Sequence, residues 1–141
     1  KAELLMSRGN YAHARAVADS AWILEKRLAD DPSQSTYVRR LRYEVLAWLA
    51  ALRGDRPTAL SMLRLAGVGP NITMYPNSAE AVQFACTSAA VYGFLDDVGA
   101  MMPFARRCFT SANGYPVAYL RDPEFARHIN DPRVRALAGS K

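Results

Sequence analysis

The residues of this chain best suited to chemistry are two histidines, His13 and His128, and two cysteines, Cys86 and Cys108. Metal centres and nucleophilic sites are built from such side chains. His13 has no second His, Cys or carboxylate at a metal-ligand spacing, and its place on its helix predicts a surface residue. His128 has Glu124 four residues before it and Asp131 three after. Both carboxylates stand at expected helix starts, where capping and the helix dipole account for them without a metal. Asp30-Asp31 and Asp96-Asp97 pair two carboxylates, as a general acid/base site would, but they too fall at expected helix starts. Cys86 and Cys108 lie in apolar helical stretches with no CxxC partner and no base nearby in sequence. A reduced, buried pair is expected in preference to a disulfide or a nucleophile. There is no GxSxG, no P-loop and no phosphate-cradling glycine loop; Gly67, Gly69 and Pro70 read as a turn. Asn71-Ile72-Thr73 matches the glycosylation sequon and is read as a chance match. The residues therefore predict no enzyme, with no catalytic residue, no cofactor and no metal.

A chain of 141 residues amounts to one domain, and a 50% apolar composition supports a packed core rather than disorder. The net charge of +5 comes mostly from arginines interspersed with acids, as on a solvated helical surface. Nucleic-acid binding through these arginines ranks below the other readings. No apolar run reaches membrane-spanning length, so no membrane insertion by this stretch is expected, and a cytoplasmic location is. The chain opens on Lys1, inside an expected helix, and is read as a piece of a longer protein.

Strand signals are poor, and the apolar residues follow helical spacing. One pattern occurs twice. Gly9, Ala14 and Ala21 have the same spacing as Gly54, Ala59 and Ala66. A glycine that ends one helix, a polar cap that starts the next, and small residues along the second helix describe a tight helical hairpin. The expected helices cover about 2–8, 10–29, 32–53 (capped by Asp31), 55–66, 78–94 (capped by Asn77) and 97–109 (started by Asp96). Pro103 should kink or break the last of these. The segment 67–76 has the composition of a loop. Asp122-Pro123 and Asp131-Pro132 begin two short terminal helices, anchored by Phe125 and Ile129, then Val134 and Leu137.

These hairpins resemble the tetratricopeptide repeat family. Tyr43, Leu46 and Ala47, the Gly54-Asp55 turn, and Ala59 and Ala66 match one unit of that family; Ala50 replaces a larger residue. An earlier unit matches only from Gly9 onward. A later one carries Phe84, Ser88 and Val91, then Asp96, Ala100 and Phe104, with Leu95 in place of the turn glycine and Arg107 in place of the second alanine. The matching glycines lie 45 residues apart (54 − 9), against about 34 in the standard repeat. Such looser repeats, with Asp-Pro endings, are similar to regions that follow winged-helix or kinase domains in bacterial regulators.

The resemblance implies an all-α fold of antiparallel helical hairpins stacked as an α-solenoid over residues 1–110, closed by two short C-terminal helices within 111–141. It implies a protein–protein interaction region of a larger regulatory protein, with a protein or peptide as partner. The alternative, motivated by the long 67–76 loop, is a ligand-sensing effector domain of a bacterial transcriptional regulator, taking a small-molecule effector between the repeats and the Asp-Pro tail. Carried over position by position, the partner-binding groove would be lined by Leu41, Glu44, Trp48, Ala85, Ala89 and Tyr92.

Overall fold

Asn10, Ser35, Asp55, Ser78 and Asp97 each accept a hydrogen bond from the backbone N–H three residues on, and each begins a helix. That bond satisfies one of the donors a helix N-terminus leaves unpaired. In the computed structural model, which describes residues 10–139 (for Tyr11 the backbone alone), the result is all-helical. The helices are α1 Tyr11–Asp30, α2 Thr36–Leu52, α3 Arg56–Ala66, α4 Pro70–Thr73, α5 Ala79–Phe94, α6 Val98–Thr110, α7 Pro123–Ala126 and α8 Pro132–Ala136. Two 3₁₀ turns, Val117–Arg121 and Leu137–Gly139, complete the tail. The helix expected over residues 2–8, and Gly9, lie outside the described residues.

The chain divides into two compact units, residues 1–67 and 68–141. In the first, α1 and α2 run antiparallel. Arg39 Nε donates to the Ala29 carbonyl, Arg42 pairs with Glu25 and Arg53 with Asp19, so α1 descends as α2 ascends. Arg53 also lies over the Trp22 ring, 5.1 Å from its centroid. Helix α3 folds back on α2 through the Gly54 turn. Ala14, Ala18, Leu46, Ala50, Ala59 and Ala66 are among the buried core, and the alanines let helix axes approach closely. Leu24 of α1 is 55% exposed. The buried positions Ala14, Ala18 and Ala29 leave it to one side.

In the second unit, α5 and α6 form the other large hairpin, and α7 packs against α5. Helix α5 is buried around most of its circumference, from Ala81 and Val82 to Val91 and Phe94. Phe109 and Phe125 meet edge to face at 5.2 Å and join α6 to the tail. Phe125, Val134 and Leu137 are buried, whereas the fourth expected anchor, Ile129, is 40% exposed.

Several expectations are corrected. Cys86 and Cys108 are joined by a disulfide between α5 and α6, with Cα atoms 4.9 Å apart and both residues buried. The reduced pair read from the sequence is not what the structure holds. Helix α2 starts at Thr36 under a Ser35 cap, one turn after the expected Asp31 start. Asp31 instead accepts from the Ser33 N–H and hydroxyl, closing a local turn that competes with helix. Ser78, rather than Asn77, caps α5. The 67–76 loop contains the single-turn helix α4. Helix α6 runs unbroken through Pro103. Pro103 and Gly99, four residues earlier, are both exposed.

Candidate functional site

The two hairpin turns are built alike. In the first, the Gly54 N–H donates to Ala51 O and the Asp55 N–H to Ala50 O; Asp55 Oδ1 then accepts from Thr58 N. In the second, the Asp96 N–H donates to Gly93 O and the Asp97 N–H to Tyr92 O; Asp97 Oδ1 accepts from Ala100 N. Gly54 has φ 77° and Asp96 has φ 57°, so both occupy the left-handed region that closes a helix. The residue equivalent to the turn glycine is therefore Asp96, not Leu95. The hairpins repeat at an offset of 42 (96 − 54). In that register Ala59 aligns with Met101 and Ala66 with Cys108, all four buried. The cap at Asn10, which accepts from His13 N, repeats the Asp55–Thr58 bond once more.

The six residues expected to line a groove fall into two groups. Leu41, Glu44 and Trp48 follow one stripe of α2 in the first unit. Leu41 and Trp48 are half-buried, and Glu44 is 4% exposed. Glu44 accepts from Arg40 Nη1 at 2.9 Å, and Arg40, also 4% exposed, has its guanidinium 5.6 Å from the centroid of the half-exposed Tyr37 ring. Ala85, Ala89 and Tyr92 follow one stripe of α5 in the second unit. Ala85 and Ala89 are buried, while Tyr92 is half-buried and stacks on Phe104 at 5.9 Å. Phe84 meets the same Phe104 ring edge-on. In the shared turn register these three align with Tyr43, Ala47 and Ala50, a different stripe from Leu41, Glu44 and Trp48.

Most of the groups with catalytic potential have structural partners. His13 is exposed. His128 Nε2 donates to Gly93 O at 2.8 Å and lies 3.4 Å from Asp96 Oδ1. Asp30 pairs with Lys26, and Asp97 caps α6. Hydrogen bonds from Ser33 hold the Asp31 carboxyl below the usual carboxylate range. Arg133 bonds hold Asp131 at about 2. Among the described residues no three His, Cys, Asp or Glu side chains are grouped to hold a metal ion, and no helix is long and apolar enough to cross a membrane.

No protein-family model, curated relative or solved structure matches the chain. Sequence reasoning passed over Arg40, Gly93 and Arg127. The i,i+4 spacing of Arg40 and Glu44 was the available signal for the first. For Gly93 it was a lone glycine inside a helical run. Arg127 donates locally to the Pro123 carbonyl, but its contacts with Phe94 and Asp96 left no local signal, because they are 33 and 31 residues away.

Proposed function

We propose that the chain is a tetratricopeptide-like helical scaffold that holds a protein or peptide partner within a larger regulatory protein. One observation carries this reading: two hairpins with the same hydrogen-bonded turn, 42 residues apart, preceded by a third matching cap at Asn10. Repeated hairpins of this kind usually serve as surfaces for other molecules. The face we favour is the α2 stripe of Tyr37, Leu41 and Trp48. It combines half-exposed aromatic and aliphatic surface with a buried Arg40–Glu44 pair beneath, and aromatic anchors dominate many interfaces. A cytoplasmic location, as read from the sequence, sits less easily with the Cys86–Cys108 bond, since disulfides persist chiefly in oxidising compartments.

The test is capture of partners by the purified chain, followed by binding measurements on each identified partner. Tyr37→Ala and Leu41→Ala, with unchanged circular dichroism, should weaken binding at least about tenfold if these are anchors. Unchanged affinity in both folded variants removes the α2 face from the proposal.

A further inference from the structure

Because the hairpins share one register, residues 42 places apart are directly comparable. Among the residues at and just after the end of α5 that differ from their counterparts in α2, three contact the tail. Gly93 stands where α2 has Ala51, Phe94 where it has Leu52, and Asp96 where it has Gly54. Each departure meets the tail.

A Cβ on Gly93 would collide with the Glu124 carbonyl oxygen and lie 3.1 Å from its carbon. An alanine, as at Ala51, would push the α7 backbone away. The Gly93 carbonyl accepts from His128 Nε2 at 2.8 Å. The Phe94 carbonyl accepts from Arg127 Nη1 at 3.4 Å, and the Phe94 ring lies 5.5 Å from the Arg127 guanidinium. The Asp96 carboxylate is 3.5 Å from Arg127 Nη1 and 3.4 Å from His128 Nε2. A glycine would make this turn without strain, as Gly54 does. The side chain at 96 accepts an unfavourable φ, and its carboxylate faces two basic residues of the tail, Arg127 and His128.

We infer that the end of α5 is a dedicated receptor for the segment Glu124–His128, and that Gly93, Phe94 and Asp96 restrict this latch to the second hairpin. The receptor reads four features together. It needs a backbone free to approach closely, two donors for the carbonyls at the helix C-terminus, a cation over an aromatic face, and positive charge beside a carboxylate. Ala51, Leu52 and Gly54 offer neither the clearance, the ring nor the carboxylate, so the first hairpin's turn rejects the same segment. The tail thereby marks which hairpin ends the array.

Hydrogen exchange of the oxidised chain, read by mass spectrometry, tests this. Gly93→Ala should speed exchange of the 125–131 amides at least about tenfold, with α1 to α3 unchanged. Helix propensity alone predicts the opposite sign, because alanine favours a helix interior over glycine. Asp96→Gly gives a second opposition. If Asp96 is merely a turn residue, relief of strain leaves the tail as protected or more so. If it is part of the receptor, tail exchange rises about tenfold. Asp96→Asn, which tolerates the same φ, should follow Asp96→Gly. Tail protection unchanged in Gly93→Ala, or retained in both Asp96 variants, overturns the inference. Should Gly93→Ala unfold the second unit, the Asp96 pair decides.

Discussion

Replacing both Cys86 and Cys108 by alanine removes a crosslink between residues 22 apart in sequence, spanning the whole α5–α6 turn. The dominant loss is the constraint on the unfolded chain. A closed loop of this length corresponds to about 3 kcal/mol on the chain-entropy account. Burial sets the second part of the expectation. Both sulfurs sit in residues that are buried, so reductant reaches them through opening rather than in the native state. Oxidised protein should therefore yield no free thiol on denaturation in air-free denaturant. Native protein in millimolar dithiothreitol should lose the bond only at the rate of opening. The assay for the energy is hydrogen exchange across α5 and α6, with urea unfolding followed by far-ultraviolet circular dichroism. The alanine pair should lower the protection of the slowest amides in these helices by a factor on the order of a hundred. A serine pair should lose as much or more, because its hydroxyls would be buried. If the alanine pair unfolds within about 0.5 kcal/mol of the wild type, or if denatured protein from an oxidising preparation reacts with thiol reagent, the reasoning fails.

Two further outcomes follow from buried and exposed charge. Glu44→Gln or Arg40→Ala should each cost about 3 kcal/mol or more, because either breaks the buried Arg40–Glu44 pair of α2. The double change Arg40→Met, Glu44→Leu should restore most of the loss in urea unfolding, since hydrophobic replacement of a buried pair is often neutral. The Asp131 carboxyl is held at about 2, below its ordinary 3.8, first by the Arg133 side chain and then by the Arg133 N–H. A carboxylate lowered in the folded state stabilises fully above its unfolded value and loses that contribution as pH falls through its folded one. Melting temperature in Asp131→Asn should thus fall less steeply than in the wild type between pH 3.8 and about 2.

What was legible beforehand was what depends on near neighbours. The Gly54 turn, the Asp55 cap and the start of α8 at Pro132 involve bonds within five residues, and residue type alone announces them. The second turn was misplaced by one because Leu95-Asp96-Asp97 offers two aspartates. Only the backbone bonds show that Asp96 takes the left-handed position and Asp97 the cap. Asp31 misled for a related reason: the same side chain that caps a helix also closes a two-residue turn. The disulfide depends on how α5 and α6 face each other, which no spacing of 22 reveals. Of the groove residues, helical spacing placed each trio on one stripe. It did not convey that Glu44, Ala85 and Ala89 are buried.

Trp22 and Trp48 both belong to the first unit, whereas the disulfide belongs wholly to the second. Indole emission therefore observes one half of the chain, and reduction perturbs the other. The two form a transmitter and a receiver already installed in the wild-type sequence. Any shift of the emission-detected urea midpoint on reduction, multiplied by the m-value, measures the free energy exchanged between the halves, without a single introduced label.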